Sequence, residues 1–89
     1  MNFENALEII ISEIRQMSRA GFAPPNLAGK QLSAETALAE LNLDSLGRLS
    51  LLTAVEDRAD AMLSEGDLQN IKTLGDLARI VAENAPVTV

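Results

Sequence analysis

A chain of 89 residues with thirteen acids, seven bases, a net charge of −6 and a hydrophobic fraction of 47% reads as one small folded domain, residues 1–89, around a single core. The acidic balance repels phosphate backbones and supplies no counterion-release term, so nucleic acid is excluded as an expected partner and protein surfaces with basic docking sites are favoured. Without cysteine or histidine the chain lacks disulfides, thiolates, zinc–thiolate sites and the usual general base, so no catalytic residue and no metal site is expected.

The apolar run Ile9-Ile10-Ile11 is bounded by Glu8 and Ser12, far short of the ~20 residues that cross a bilayer, so no membrane insertion is expected. Met1-Asn2-Phe3-Glu4 lacks the basic start and apolar stretch of a secretory signal, which makes a cytoplasmic location the expectation.

Phe3, Leu7, Ile10, Ile14 and Met17 recur at steps of four and three and predict a first helix from about Asn2 to Arg19, capped by Asn2. Gly21 and then Pro24-Pro25 stop it. From Gly21 to about Glu35 no period is sustained, which predicts a long loop pinned by Phe22, Leu27 and Leu32. Thr36 to Leu41 is long enough for one or two helical turns and is read as part of that loop.

A second helix is predicted from Asp44-Ser45, with Leu46, Leu49, Leu52, Val55, Ala59 and Met62 on its apolar face and Leu51 and Ala54 widening the band. A short third helix is expected across Glu65 to Asn70. The last starts at Thr73, with Asp76 at the capping-box position and Leu74, Leu77, Ala78 and Val81 on one face, and ends at Asn84-Ala85-Pro86. Strand-like alternation is confined to the tail from Pro86 to Val89. The fold class is all-α, a small four-helix bundle of three longer helices and a short one.

Ser45, in the run Leu41-Asn42-Leu43-Asp44-Ser45-Leu46-Gly47-Arg48-Leu49, is the candidate for chemistry. Taken alone, an Asp-Ser pair before an apolar helix is more often a cap than a site. A hydrolase nucleophile needs a base, and with no histidine Lys30 or Lys72 would have to serve, which makes a small hydrolase improbable. A serine that receives a group from another enzyme needs no base of its own, and a phosphodiester at a helix start meets free amides and the positive end of the dipole.

The stretch Leu43-Asp44-Ser45-Leu46 resembles the Asp-Ser-Leu attachment motif of the acyl carrier proteins, helical carriers of phosphopantetheine. The likeness continues without a gap from Ser45 to Leu74: Glu56-Asp57 matches the acidic part of the family's second helix, Leu63 an aliphatic position after the next turn, and Ile71-Lys72-Thr73-Leu74 the approach to the last helix. It covers nearly the whole chain and is firmest from Leu41 to Val81.

The resemblance implies that a phosphopantetheinyl transferase places 4'-phosphopantetheine on Ser45, with Asp44 helping to position the serine and Leu46 adjoining the arm. The arm would carry acyl groups as thioesters to acyl-transfer, condensing or acyl-activating enzymes, in fatty-acid, specialised-lipid or polyketide synthesis. The chain would be a monomeric carrier and a substrate, not itself an enzyme. Leu46, Arg48, Leu49, Glu56 and Asp57 are the implied partner-docking residues, Leu46 partly exposed, while Leu49 serves equally well as core. Gly47 and Ser50 stand where fatty-acid carriers often have acids, with Arg48 beside them, which points to a dedicated pathway; Ala59 stands where a phenylalanine is frequent in the family. Two alternatives stay open: an unmodified helical adaptor with the same fold, and an aminoacyl or peptidyl carrier. Asp57-Arg58-Ala59-Asp60 lacks the alternating ligands and glycine of a calcium loop and reads as a solvated face.

Overall fold

The chain is seen as a computed structural model that describes residues 2–21, 25–29, 31–63 and 70–84. Its first helix, α1 (Phe3–Ala20), opens where the Asn2 side chain accepts a hydrogen bond from the Asn5 amide at 2.8 Å, satisfying one of the orphan donors of the first turn. It closes at Gly21, whose φ of 88° is the left-handed conformation that a side chain would strain. Of the repeat expected along this helix, Ile10, Ile14 and Met17 are buried, Leu7 is half-buried and Phe3 at its start is exposed, while Ala6 joins the buried face.

The loop after α1 is tied down at the leucines expected to hold it. Leu27, in the 3-10 turn Pro25–Ala28, and Leu32 are both buried, while Phe22 falls outside the described residues. The segment before Ser45 is more ordered than expected, because Leu38–Leu41 forms a second 3-10 turn that buries Leu41. The Glu40 carboxylate holds this turn by accepting from the Ala37 amide at 2.8 Å, and Asn42 ends it with a φ of 54°. Asparagine tolerates that left-handed geometry better than most residues.

Helix α2 (Ser45–Ala59) is shorter than its apolar pattern suggested. Asp60 adopts φ 53° and turns the chain out of the helix, with the Ala61 amide closing back on the Glu56 carbonyl at 3.1 Å. Met62 therefore lies beyond the helix and 85% exposed, not on its buried face. Leu46 and Leu49 also leave the predicted face, at 71% and 60% exposed, and the core stripe is Leu51, Val55 and Ala59 at i, i+4, i+8. Leucines at 46, 49, 51 and 52 surround the helix start, so periodicity alone could not choose among them.

The third helix, α3 (Leu74–Asn84), buries Leu74, Leu77, Ala78 and Val81, the face its spacing predicted. Its start is a reciprocal box: Thr73 Oγ1 accepts from the Asp76 amide at 3.1 Å and Asp76 Oδ2 accepts from the Thr73 and Lys72 amides at 3.2 and 3.1 Å. Those backbone donors, Lys72 ahead of Thr73, hold the Asp76 carboxyl below the usual carboxylate range, and the Arg79 guanidinium adds a smaller pull.

Among the described residues the architecture is three α-helices and two 3-10 turns, without a strand. The short helix expected across Glu65 to Asn70 falls outside the described residues except for Asn70, which lies in a turn, and the alternating tail from Pro86 to Val89 falls wholly outside them. Helix α1 packs against both α2 and α3 and against the 25–28 turn. The long loop is stitched to the start of α3: Leu38 N donates to Lys72 O, Leu74 N to Thr36 O and Gly75 N to Ala34 O, each at 2.9 Å. Gly75 permits this approach, since a Cβ there would lie 2.9 Å from the Ala34 carbonyl oxygen. Glu13, largely buried, is matched by the Arg58 guanidinium at 3.0 Å, which also donates to Ser12 Oγ, locking α1 to the far end of α2.

Candidate functional site: the start of helix α2

The cap of α2 is Asp44 and not Ser45. Its Oδ1 accepts from the Gly47 amide at 2.7 Å, and the Arg48 amide donates to its carbonyl at 2.9 Å as the first bond of the helix. Ser45 is consequently the first helical residue, set between exposed Asp44 and exposed Leu46. The capping explanation for a serine at this point thus passes to its neighbour.

Gly47 is buried beneath the cap. A Cβ there would sit 3.2 Å from Asp44 Oδ1 and 3.4 Å from Leu43 Cβ, so the missing side chain leaves room for the carboxylate that closes the helix start. This gives a local reason for a glycine that helix propensity disfavours by about 1 kcal/mol. An open cavity of about 300 Å³ lies beside it, lined by Gly21, Asp44, Leu46, Gly47 and Ser50. Gly21 and Gly47 are among its lining residues, and Ser50 adds an uncharged polar one.

The docking residues inferred from the sequence do not all face outward. Leu46, Arg48 and Leu49 are exposed on the first half of α2, and Asp57 is exposed further along. Glu56 is half-buried and turned to its own chain, where Oε2 accepts from the Leu63 amide at 3.3 Å. The acids left to meet a partner at this end of the helix are Asp57 and Asp60.

On the side towards α3, Leu38, Arg48, Leu51, Leu52 and Ile71 line a second, mainly apolar cavity of about 170 Å³. Sequence reasoning missed it, because its walls come from three separated segments whose contact is made by the stitched loop. The local signal was a single cation, Arg48, set among leucines.

This site suits a covalently held, flexible phosphodiester arm. It has a serine as the first residue of a helix, at the positive end of the dipole, an open cavity beside Asp44 and Gly47, and exposed apolar side chains within one turn. Among the described residues no group of acids is placed to hold a metal, and no helix is long and apolar enough to cross a membrane.

Comparison with known proteins agrees with this geometry. The family described as "Phosphopantetheine attachment site" matches residues 26–81, from the first 3-10 turn through most of α3. The chain is also similar to "Acyl carrier protein, mitochondrial" of Saccharomyces cerevisiae, 33% identical over 61 residues. That alignment takes in 67% of this chain and 49% of the relative, so the chain spans about half the length of the curated relative it matches. With well over half of its residues matched by the family, the chain belongs to the phosphopantetheine-attachment family and carries 4'-phosphopantetheine as its covalent cofactor.

Proposed function

We propose that Ser45 is the attachment residue and that the protein is a discrete acyl carrier serving fatty-acid, specialised-lipid or polyketide synthesis. The observation that carries this reading is the cap: Asp44 closes the helix start, and Ser45 is the first residue after it. In the transfer from coenzyme A, the Ser45 hydroxyl oxygen would form a new bond to phosphorus. The pyrophosphate linkage breaks, 3',5'-ADP leaves and the hydroxyl proton passes to the transferase. When attached, the arm supplies the thiol that the sequence lacks and holds an acyl group as an activated thioester.

This chain's own residues orient and present that arm. Asp44 fixes the first turn of α2 on which Ser45 stands. Leu46 and Leu49 offer apolar contact beside the attachment point, and Arg48, Asp57 and Asp60 supply the charges that select and steer a partner enzyme. With Gly47 and Ser50 in place of acids, the face nearest Ser45 carries Asp44 against Arg48 and no net charge, which suits a dedicated set of partner enzymes better than those that read an acidic helix. Incubation with coenzyme A and a broad-specificity phosphopantetheinyl transferase, followed by intact mass measurement, tests the reading. One phosphopantetheine is expected to be gained by the native chain and none by Ser45→Ala. An unchanged mass in folded native protein, or an equal gain in the variant, would contradict it.

A further inference from the structure

Among the described residues, the cavity lined by Leu38, Arg48, Leu51, Leu52 and Ile71 combines aliphatic walls with a cation. Its volume of about 170 Å³ is close to that of an apolar cavity of roughly 150 Å³ that holds a six-carbon ring. Arg48 is exposed and also lines this cavity, and a long cationic side chain so placed can cover apolar wall with its aliphatic stem while keeping its guanidinium in water. The other arginines that meet acids, Arg58 and Arg79, pair with Glu13 and Asp76. Among the described residues the Arg48 guanidinium has no hydrogen-bond or ion-pair partner. It stands one helical turn from Ser45, within easy reach of anything tethered there.

Building on the attachment of the arm at Ser45, we propose that Arg48 is a cargo-selecting residue, and that this carrier takes short acyl chains, about six carbons or fewer, that end in a carboxylate. The chain lies against Leu38, Leu51, Leu52 and Ile71, and its terminal carboxylate meets the guanidinium at the rim. A purely aliphatic chain of the same length fills the same walls and leaves the cation unpaired. The pair is solvent-exposed and therefore modest, but a tethered chain meets the guanidinium at high effective concentration.

The test loads the protein with hexanoyl- or adipoyl-coenzyme A through a broad-specificity transferase, confirms loading by intact mass, and measures cleavage of each thioester by hydroxylamine. Each rate is normalised to the matching free acyl-pantetheine. The adipoyl cargo is expected to be cleaved roughly two- to fivefold more slowly than the hexanoyl cargo at low salt. The difference should shrink in 1 M salt, vanish in Arg48→Gln and persist in part in Arg48→Lys. Circular dichroism melting establishes that the variants are folded. Equal protection of the two cargoes in the native chain overturns the proposal without needing any variant. A difference that survives in folded Arg48→Gln also overturns it. Failure to load either cargo is read from the mass before hydroxylamine is added; it contradicts the attachment at Ser45 and removes this proposal with it.

Discussion

Asp44 has two tasks that a single substitution separates. It caps α2 through the Gly47 amide, and it stands next to the proposed attachment residue. Asp44→Ala is expected to cost about 1 kcal/mol of stability, the usual size of a lost cap, seen as a fall of about 4–8 °C in the melting midpoint for a domain of this length. Asp44→Ser restores a cap without the charge, so it should recover most of the midpoint. If its loading by a transferase remains slow, the carboxylate itself is used in recognition.

The two close glycine contacts make a similar contrast. Gly75→Ala drives a Cβ to 2.9 Å from the Ala34 carbonyl oxygen, and backbone cannot swing aside, so a loss of about 1–3 kcal/mol is expected in urea unfolding. Gly47→Ala meets a movable carboxylate at 3.2 Å and gains helix propensity of up to about 1 kcal/mol, so its net effect should be the smaller of the two.

Among the helices, α3 has a start whose strength depends on one ionised group. The amides of Lys72 and Thr73 favour the charged form of Asp76, which lowers its folded-state pKa below that of the unfolded chain. Stability gained this way is present above the ordinary aspartate range, near pH 4, and disappears as pH falls through the depressed folded value. Asp76→Asn should lower the melting midpoint at pH 7, and the gap from the native chain should close on acidification. A gap that stays constant from pH 7 to pH 2 would show that the box does not act through the carboxylate's charge.

Helices α1 and α3 were legible because their apolar residues fall on one stripe and their ends carry strong signals, Asn2 with Gly21 and Thr73 with Asp76. Helix α2 was legible in position but not in orientation: leucines on several sides make every face a plausible inside, and only packing against α1 assigns Leu51, Val55 and Ala59 to the core. The sequence also placed its end too late, since Ala61 and Met62 continue the apolar composition past the left-handed turn at Asp60.

For the whole molecule, the all-helical character, the single core and the family could be read from the chain before its structure was known. Long-range features could not. The tie between the 34–38 segment and residues 72–75, the Arg58 bridge to Glu13, and the cavity at Arg48 each join residues more than twenty positions apart. These contacts bear on function because they hold α2 against α1 and brace the loop that precedes Asp44. The start of α2 is thereby presented on a supported surface, with Asp44, Arg48, Asp57 and Asp60 exposed along the helix and its ends, while Glu56 turns back to the chain.

The claim on which this account rests is that Ser45, and no other hydroxyl, bears the arm. Trypsin cleaves after Lys30 and Arg48, separating the peptide 31–48 from the Ser50-containing peptide 49–58. Fragmentation of the loaded protein's peptides by mass spectrometry then reads the attachment directly. The phosphopantetheine is expected on the 31–48 peptide and at Ser45 within it; its appearance at Ser33, Thr36 or Ser50 would contradict the account.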